Sequence, residues 1–292
     1  MTAADSDFNG RWNIEVEREP KNRAWWLEVS GAGGSGTLTG RFVGFPGGDM
    51  KPIAEMSIKD GVLHFADRRG KNLEYEARLK GGKLVGVRKD GAEVLNWTGI
   101  RAPGIKDKDD GSWTAGQPVA LFNLKDLSGW KPQVGSEIKG WTVHDGVMAN
   151  VAGASDLVSK EKFWNFELIA EYRIGEGSNS GIGLRGRYEV QILQDYGKPQ
   201  DTHSHGALYS RIKPAVNASR PPGEWNEMKI RLVGRILTAV LNGKTVLDKV
   251  EVEGLTAMAS NPNEADPGPL TIQGDHREVE FRKLVVTPLV KK

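Results

Sequence analysis

The feature that most limits what this chain can become is the period of its apolar residues. In Asn72-Leu73-Glu74-Tyr75-Glu76-Ala77-Arg78-Leu79, the residues Leu73, Tyr75, Ala77 and Leu79 share one parity, and the charges take the other. The stretch 166–174 alternates in the same way, as do Met228, Ile230 and Leu232, and later Val279, Phe281 and the run Leu284-Val285-Val286. A period of two belongs to a strand with one buried face. No stretch carries a 3.6-residue apolar period between caps, so helices are not expected. Between the alternating segments stand Lys59-Asp60-Gly61, Lys80-Gly81-Gly82, Lys89-Asp90-Gly91 and Leu241-Asn242-Gly243-Lys244. Asn-Gly and Asp-Gly accept the positive φ that tight hairpin turns demand, and the 37 glycines of the chain supply such turns throughout. The expectation is an all-β protein.

At 292 residues the chain exceeds the usual size of one core, so two domains are expected. The best boundary is 101–118, RAPGIKDKDDGSWTAGQP, which holds prolines, glycines and a charge run and no apolar period. It reads as a linker between a small β-domain, 1–100, and a larger one, 119–292. In the first, strands at roughly 11–16, 25–30, 37–45, 52–59, 62–66, 72–79, 83–88 and 94–100 follow one another at hairpin spacing. That predicts an up-and-down sheet, and closure into a barrel would remove its edges. Phe8-Asn9-Gly10-Arg11-Trp12 resembles the Gly-x-Trp opening of lipocalin-like barrels. A small barrel filled by its own side chains is expected in preference to one holding an apolar ligand. The longer strands and fuller loops of the second half fit a double-sheet jelly-roll sandwich.

Composition narrows the function. Lys+Arg 40 against Asp+Glu 38 leaves a net charge of +2, which gives no electrostatic basis for a nucleic-acid partner. With no cysteine there is no disulfide framework, thiolate nucleophile or Cys-based zinc site. No apolar run approaches the ~20 residues of a membrane helix. The start, Met1-Thr2-Ala3-Ala4-Asp5-Ser6-Asp7, does not read as a secretory signal. The chain is therefore either cytoplasmic or carries a start Met where a signal has been removed. Nine tryptophans suit a protein that stacks indole faces on sugar rings, with core packing as the competing reading of each.

The polar residues concentrate in 179–201. If 187–193 is a strand, Glu189 and Gln191 share one face and Val190 and Ile192 the other, with Arg185 and Arg187 in the phase of Glu189. Such a face is either solvated or lines a cleft, because burying it unpaired costs several kcal/mol (roughly 2–7 per group). His203 and His205 are two apart, a spacing that on a strand could offer both rings to a metal, and no third ligand stands nearby. Asn217-Ala218-Ser219 has the form of a glycosylation acceptor, though nothing else points to a eukaryotic secreted chain. A double-displacement glycosidase needs paired carboxylates, yet the strand reads Glu189-Val190-Gln191-Ile192-Leu193-Gln194-Asp195, and an amide cannot exchange a proton.

These residues, taken in order, resemble the 3-keto-disaccharide hydrolase family, a concanavalin A-like jelly roll. The landmarks run from Leu121-Phe122-Asn123 through Trp141-Thr142-Val143-His144-Asp145-Gly146 and Asn179-Ser180-Gly181-Ile182 to Tyr188-Glu189-Val190-Gln191. Gly206-Ala207-Leu208-Tyr209, Pro222-Gly223-Glu224-Trp225-Asn226 and Pro267-Gly268-Pro269-Leu270-Thr271-Ile272-Gln273 follow, and the match covers nearly all of 119–290. It departs after Ile192-Leu193, where the family has Asp and this chain has Gln194, with Asp195 one place later.

The resemblance implies cleavage of glycosides oxidised at C3; the expected location is periplasmic or secreted, with a signal removed, and a cytoplasmic one stays open. A C3 ketone acidifies the C2 proton, so the glycosidic oxygen can leave by elimination, and water then adds. On that reading Glu189 or His205 is the base, and Arg185 or a divalent metal ion stabilises the enolate. Asn179, Gln191, Tyr209, Trp225, Gln273 and His276 would contact the oligosaccharide or glycoside substrate. Candidate metal ligands are Glu189, Asp195 and His205. A structural salt bridge of Glu189 with Arg185 or Arg187 is the plainer reading of that residue. The alternative function is a non-catalytic, lectin-like glycan-binding module with Trp225 or Trp164 as platform.

Overall fold

The turns set the frame. In the computed structural model, which describes residues 4–68 and 72–292, Asp60-Gly61, Gly81-Gly82 and Asn242-Gly243 have positive φ at both positions. Each joins adjacent antiparallel strands, as type I′ chemistry requires. The chain divides into two compact units, one of residues 1–103 and 254–264, the other of 104–253 and 265–292. Membership of 254–264 in the first unit is not foreshadowed by the sequence, because that stretch lies far along the chain from the strands it joins.

The first unit holds β1 (Gly10–Val16), β2 (Trp25–Ser30), β3 (Thr39–Val43) and β4 (Lys51–Pro52). Then come β5 (Glu55–Lys59), β6 (Val62–Asp67), β7 (Leu73–Lys80), β8 (Lys83–Asp90) and β9 (Glu93–Arg101). They form one antiparallel sheet in the order β4-β3-β2-β1-β9-β8-β7-β6-β5, so the up-and-down order is as expected. Full closure is not found: among the described residues no ladder joins β4 to β5. Only Ile53 and Ala54 separate those end strands in the chain, which keeps the two edges within about 10 Å of each other. The seam is packed by side chains instead, for a Cβ on Gly40 of β3 would come within 2.5 Å of Met56 of β5. The sheet is thus a curled half-barrel, and rings fill its interior. Phe65 stacks on Tyr75 at 4.6 Å, and Phe42 meets Tyr75 edge-on at 5.2 Å. Trp12, of the Gly-x-Trp opening, is fully buried and donates through Nε1 to the Phe8 carbonyl.

The second unit is a sandwich of two antiparallel sheets. Its strands are β10 (Trp113–Ala115), β11 (Val119–Ala120), β12 (Trp130–Pro132), β13 (Trp141–His144) and β14 (Val147–Asn150). Next are β15 (Leu157–Phe163), β16 (Phe166–Ile174), β17 (Asn179–Leu184), β18 (Tyr188–Leu193) and β19 (Trp225–Val233). The last are β20 (Ile236–Leu241), β21 (Lys244–Glu251), β22 (Gly268–Ile272) and β23 (Val279–Lys291). One sheet runs β13-β14-β23-β16-β19-β20-β21, with β10 and β11 also on β23, and the other runs β12-β15-β22-β17-β18. Leu168, Ala170 and Tyr172 of β16 face Ile182, Val190 and Ile272 of the second sheet as the buried layer of a concanavalin-like jelly roll. The stretch 101–118 does not hang as a free linker. It carries β10, and Asp107 accepts hydrogen bonds from Trp164 Nε1 and Asn165 Nδ2, while Asp109 pairs with Arg231 at 2.9 Å. Among the described residues no helix is long and apolar enough to cross a membrane.

In the first unit the indole of Trp97 lies flat over Gly86, where a Cβ would sit 2.4 Å from both Trp97 Cζ2 and the Glu76 carbonyl oxygen. Because backbone cannot yield there, Gly86→Ala is expected to destabilise this unit by about 1–3 kcal/mol. Urea denaturation followed by tryptophan fluorescence should show its transition at lower denaturant.

Candidate active site

The alternation of β18 directs its side chains to two faces. Tyr188, Val190 and Ile192 enter the sandwich core, and Glu189 and Gln191 take the other face. Register adds the neighbours. Thr271 of β22, Gly183 of β17 and Glu189 lie in one cross-strand row, since Gly183 pairs with both Thr271 and Glu189. In the next row Gly181 pairs with Gln191 and accepts the backbone N–H of Gln273. The strip Gly206–Tyr209 extends the sheet beyond β18. Tyr209 N donates to the Glu189 carbonyl, Gln191 N donates to the Ala207 carbonyl, and Leu208 bridges Val190. Tyr209 therefore stands beside Glu189.

The middle strand of this array supplies only glycine at those two rows. With strands ~4.8 Å apart, that leaves a trough roughly 10 Å wide between β22 and β18 with no side chain on its floor. The carboxylate of Glu189 leans into it: a Cβ on Gly181 would lie 2.5 Å from Glu189 Oε1. Gln191 Nε2 donates to Asn179 Oδ1 at 3.3 Å, at the edge of hydrogen-bond reach. Gln191 Oε1, Gln273 Oε1 and Thr271 Oγ1 are buried and have no hydrogen-bond partner among the described residues. Glu189 and Gln191 are each only 2% exposed. A buried polar atom left without a partner costs about 1–3 kcal/mol, so three facing one trough beside a carboxylate make a candidate site whose hydrogen bonds water or a ligand can complete.

Of the residues expected from sequence, the structure brings together Glu189, Gln191, Asn179, Tyr209 and Gln273. The others lie elsewhere. Arg185 sits in the β17–β18 turn with a positive φ of 55°, and its side chain runs to the end of the sandwich. There Nε donates to the Trp164 carbonyl, Nη1 to the Gly234 carbonyl and Nη2 to Asn165 Oδ1, and the guanidinium lies 4.2 Å over the Trp164 ring. These bonds hold a conformation that costs a non-glycine residue about 1–2 kcal/mol. Trp164 has Arg185 over one face of its ring and its Nε1 tied to Asp107, which makes it part of this structural cluster. Trp225 belongs to β19, on the outward face of the other sheet, where Arg173 and Arg282 lie over its ring among the ion pairs Arg173–Glu280 and Arg282–Glu171. His276 is exposed on the loop after Gln273, with Nδ1 2.6 Å from Asp275 Oδ1.

His205 and His203 do not share a strand face. His203 is partly exposed and packs edge-on against Tyr209, whereas His205 is 1% exposed and turns inward. Its ring nitrogens contact Tyr172 Oη at 2.5 Å and Ser219 Oγ at 3.1 Å. Burial pushes its pKa down to about 4, against the pull of Asp195 and of the Leu193 carbonyl. Both oxygens of Asp195 are engaged, one by the Ser219 hydroxyl at 2.6 Å, the other by the His205 N–H at 2.9 Å. The proposed metal ligands Glu189, Asp195 and His205 thus do not converge. Among the described residues no group of three or more His, Asp or Glu side chains could hold a metal ion. Thr271 and the two glycines are the site residues that the sequence reading missed. Their signal was Asn179-Ser180-Gly181-Ile182-Gly183, where glycine twice occupies the parity that faces the trough.

An all-β sandwich with an amide-, hydroxyl- and carboxylate-lined trough on one sheet is the arrangement of a carbohydrate-active jelly roll. More narrowly, residues 117–287 match the model of the 3-keto-alpha-glucoside-1,2-lyase-like domain, and the chain belongs to that family. It is 24% identical over 166 residues to a 3-keto-disaccharide hydrolase of Bacteroides thetaiotaomicron, an alignment covering 44% of this chain and 57% of that protein. The chain thus spans little more than half the length of that curated relative. Two crystal structures from Parabacteroides distasonis, each provisionally described as a glycosyl hydrolase, are also similar. The first has a TM-score of 0.52 at 26% identity, covering 64% of this chain and 92% of that one. The second has 0.50 at 25%, covering 59% and 94%.

The bonds from Arg185 to Trp164, Gly234 and Asn165 make it a structural cation. Arg185→Met, which strands three acceptors, is expected to lower stability by about 3 kcal/mol or more. Equilibrium unfolding would read that loss, and ligand affinity per folded molecule should stay at the wild-type level.

Proposed function

We propose that the second unit cleaves 3-keto glycosides by elimination and hydration, with Glu189 as the base. What carries this reading is the Glu189 carboxylate lying over Gly181, with the unpaired oxygen of Gln191 beside it on β18 and those of Thr271 and Gln273 across the trough. The amide oxygens accept only, and so suit the hydroxyl donors of a sugar. They would hold the ring while Glu189 takes the proton from C2 of a 3-keto pyranose. The electrons then form an enolate at the C3 oxygen and collapse to expel the glycosidic oxygen from C1, which takes a proton from water while Glu189 returns to water the one it took from C2. Water adding across the resulting C1–C2 double bond completes hydrolysis. No second carboxylate beside C1 is needed, in keeping with an array where the partner position on β18 is the amide of Gln191. Arg187, two residues before Glu189 and buried with Nη1 on the Asp266 carbonyl, is the cation assigned to the enolate, because Arg185 is engaged with Trp164, Gly234 and Asn165. The name of the curated relative and of the family support the same substrate class.

In an assay on a panel of 3-keto glucosides, Glu189→Gln is expected to lower kcat by about 10²–10⁴-fold. Gly181→Ala keeps the carboxylate and displaces it, so a comparable loss of kcat with little change in stability is expected. Turnover by both variants at the wild-type rate would exclude Glu189 as the base. Binding of native glycan without product from either sugar would identify a lectin-like module instead.

A further inference from the structure

The elimination described above makes no use of His205, and the geometry gives that residue another task. We propose, resting on the reading of Glu189 as the acting base, that neutral His205 is a positioning residue that pins the strip Gly206–Tyr209 to β18. Protonating it frees the strip and misplaces Glu189 and Gln191.

The strip is the outer neighbour of the residues that do the work. Gly206 N donates to the Gln191 carbonyl at 2.9 Å, Ala207 accepts from Gln191 N at 3.0 Å, and Tyr209 N donates to the Glu189 carbonyl at 3.0 Å. Without these bonds β18 would be an edge strand held by β17 alone. His205 is the residue next to this strip, and it is tied at three points: its backbone N–H to Asp195 Oδ2, Nδ1 to Ser219 and Nε2 to Tyr172.

Proton bookkeeping sets its charge. Asp195 Oδ1 accepts, so the Ser219 hydroxyl donates to it and its oxygen is left to accept from His205 Nδ1–H. Nε2 then carries the lone pair, which receives the Tyr172 O–H. A second ring proton at Nε2 would turn the Tyr172 hydroxyl from donor to acceptor and displace its O–H from the ring nitrogen in a site where Tyr172 is fully buried. Around the ring stand Tyr172 from β16, the Leu193 carbonyl at the end of β18, Asp195 just beyond it, and Ser219 from the segment before β19, with Asp195 the one charged group among them. Asp195 favours the proton, but burial outweighs it and holds the pKa at about 4 rather than the ordinary 6.5. The sign follows. An opened strip returns His205 to its ordinary pKa, so attachment is complete above about 6.5 and weakens as pH falls toward about 4.

Hydrogen exchange at the amides of Gln191, Gly206 and Tyr209 between pH 7 and 4 tests this without any substrate. Protection of these amides is expected to fall by about tenfold per pH unit below about 6.5, while that of Leu168 in β16 holds. Tyr172→Phe removes the donor to Nε2 and should move the opening to higher pH. His205→Gln cannot titrate and should make protection independent of pH. Equal pH dependence in wild type and His205→Gln, or an unmoved midpoint in Tyr172→Phe, would overturn the assignment. On a 3-keto glucoside the acid limb of kcat should track the opening. Opening without turnover at any pH would uphold the role of His205 and remove the proposed reaction.

Discussion

Everything specific about this protein's site depends on a gap in side chains. Gly181 and Gly183 keep the hydrogen-bonded ladder of β17 intact while adding nothing above it. A sheet can thereby carry a recess without losing a strand, and the Glu189 carboxylate occupies part of it. Any β-carbon at 181 would compete with that carboxylate for one volume, so the two residues are meaningful only as a pair. The flanking rows, from β22 on one side and β18 on the other, then place hydroxyl and amide oxygens at the rim of the same recess.

Buried polar groups here fall into two kinds, and their saturation separates them. The Arg185 guanidinium meets two backbone carbonyls, an amide oxygen and an indole face, each of its three nitrogens bonded within the protein. Asp195 and His205 are similarly saturated by Ser219, Tyr172 and a backbone N–H. The oxygens of Thr271, Gln191 and Gln273 are as deeply enclosed and yet unpaired. Enclosure alone therefore does not identify a site, and neither does a single unpaired atom, since Trp97 Nε1 and Trp130 Nε1 are also buried without a partner; what distinguishes this one is several unmet oxygens gathered beside a carboxylate.

The first unit shows how much of a barrel can be had without full closure. Its edges are brought together by a connection of only two residues, and the side chains of Met56 and Ile53 fill the seam over Gly40. The interior is packed with aromatic rings in edge-on and stacked contacts, which is a core in its own right.

How far the sequence alone reached follows from which properties are local. The period of two located β7, β16 and β18 and assigned Glu189 and Gln191 to one face, because alternation is a property of a single strand's backbone. Asn242-Gly243 announced its hairpin for the same reason, through the φ values those residues accept. The fates of Arg185, Trp225 and His205 were not local. Arg185 left its expected face when its backbone turned left-handed, Trp225 went to the other sheet, and His205 was drawn inward by Tyr172, thirty-three positions away in the chain. Thr271 joined Glu189 only through strand order, β22 beside β17 beside β18, across more than eighty residues of chain. Short-range chemistry thus determined the strands and their faces, while tertiary pairing alone decided which faces meet and which polar groups are left for a ligand.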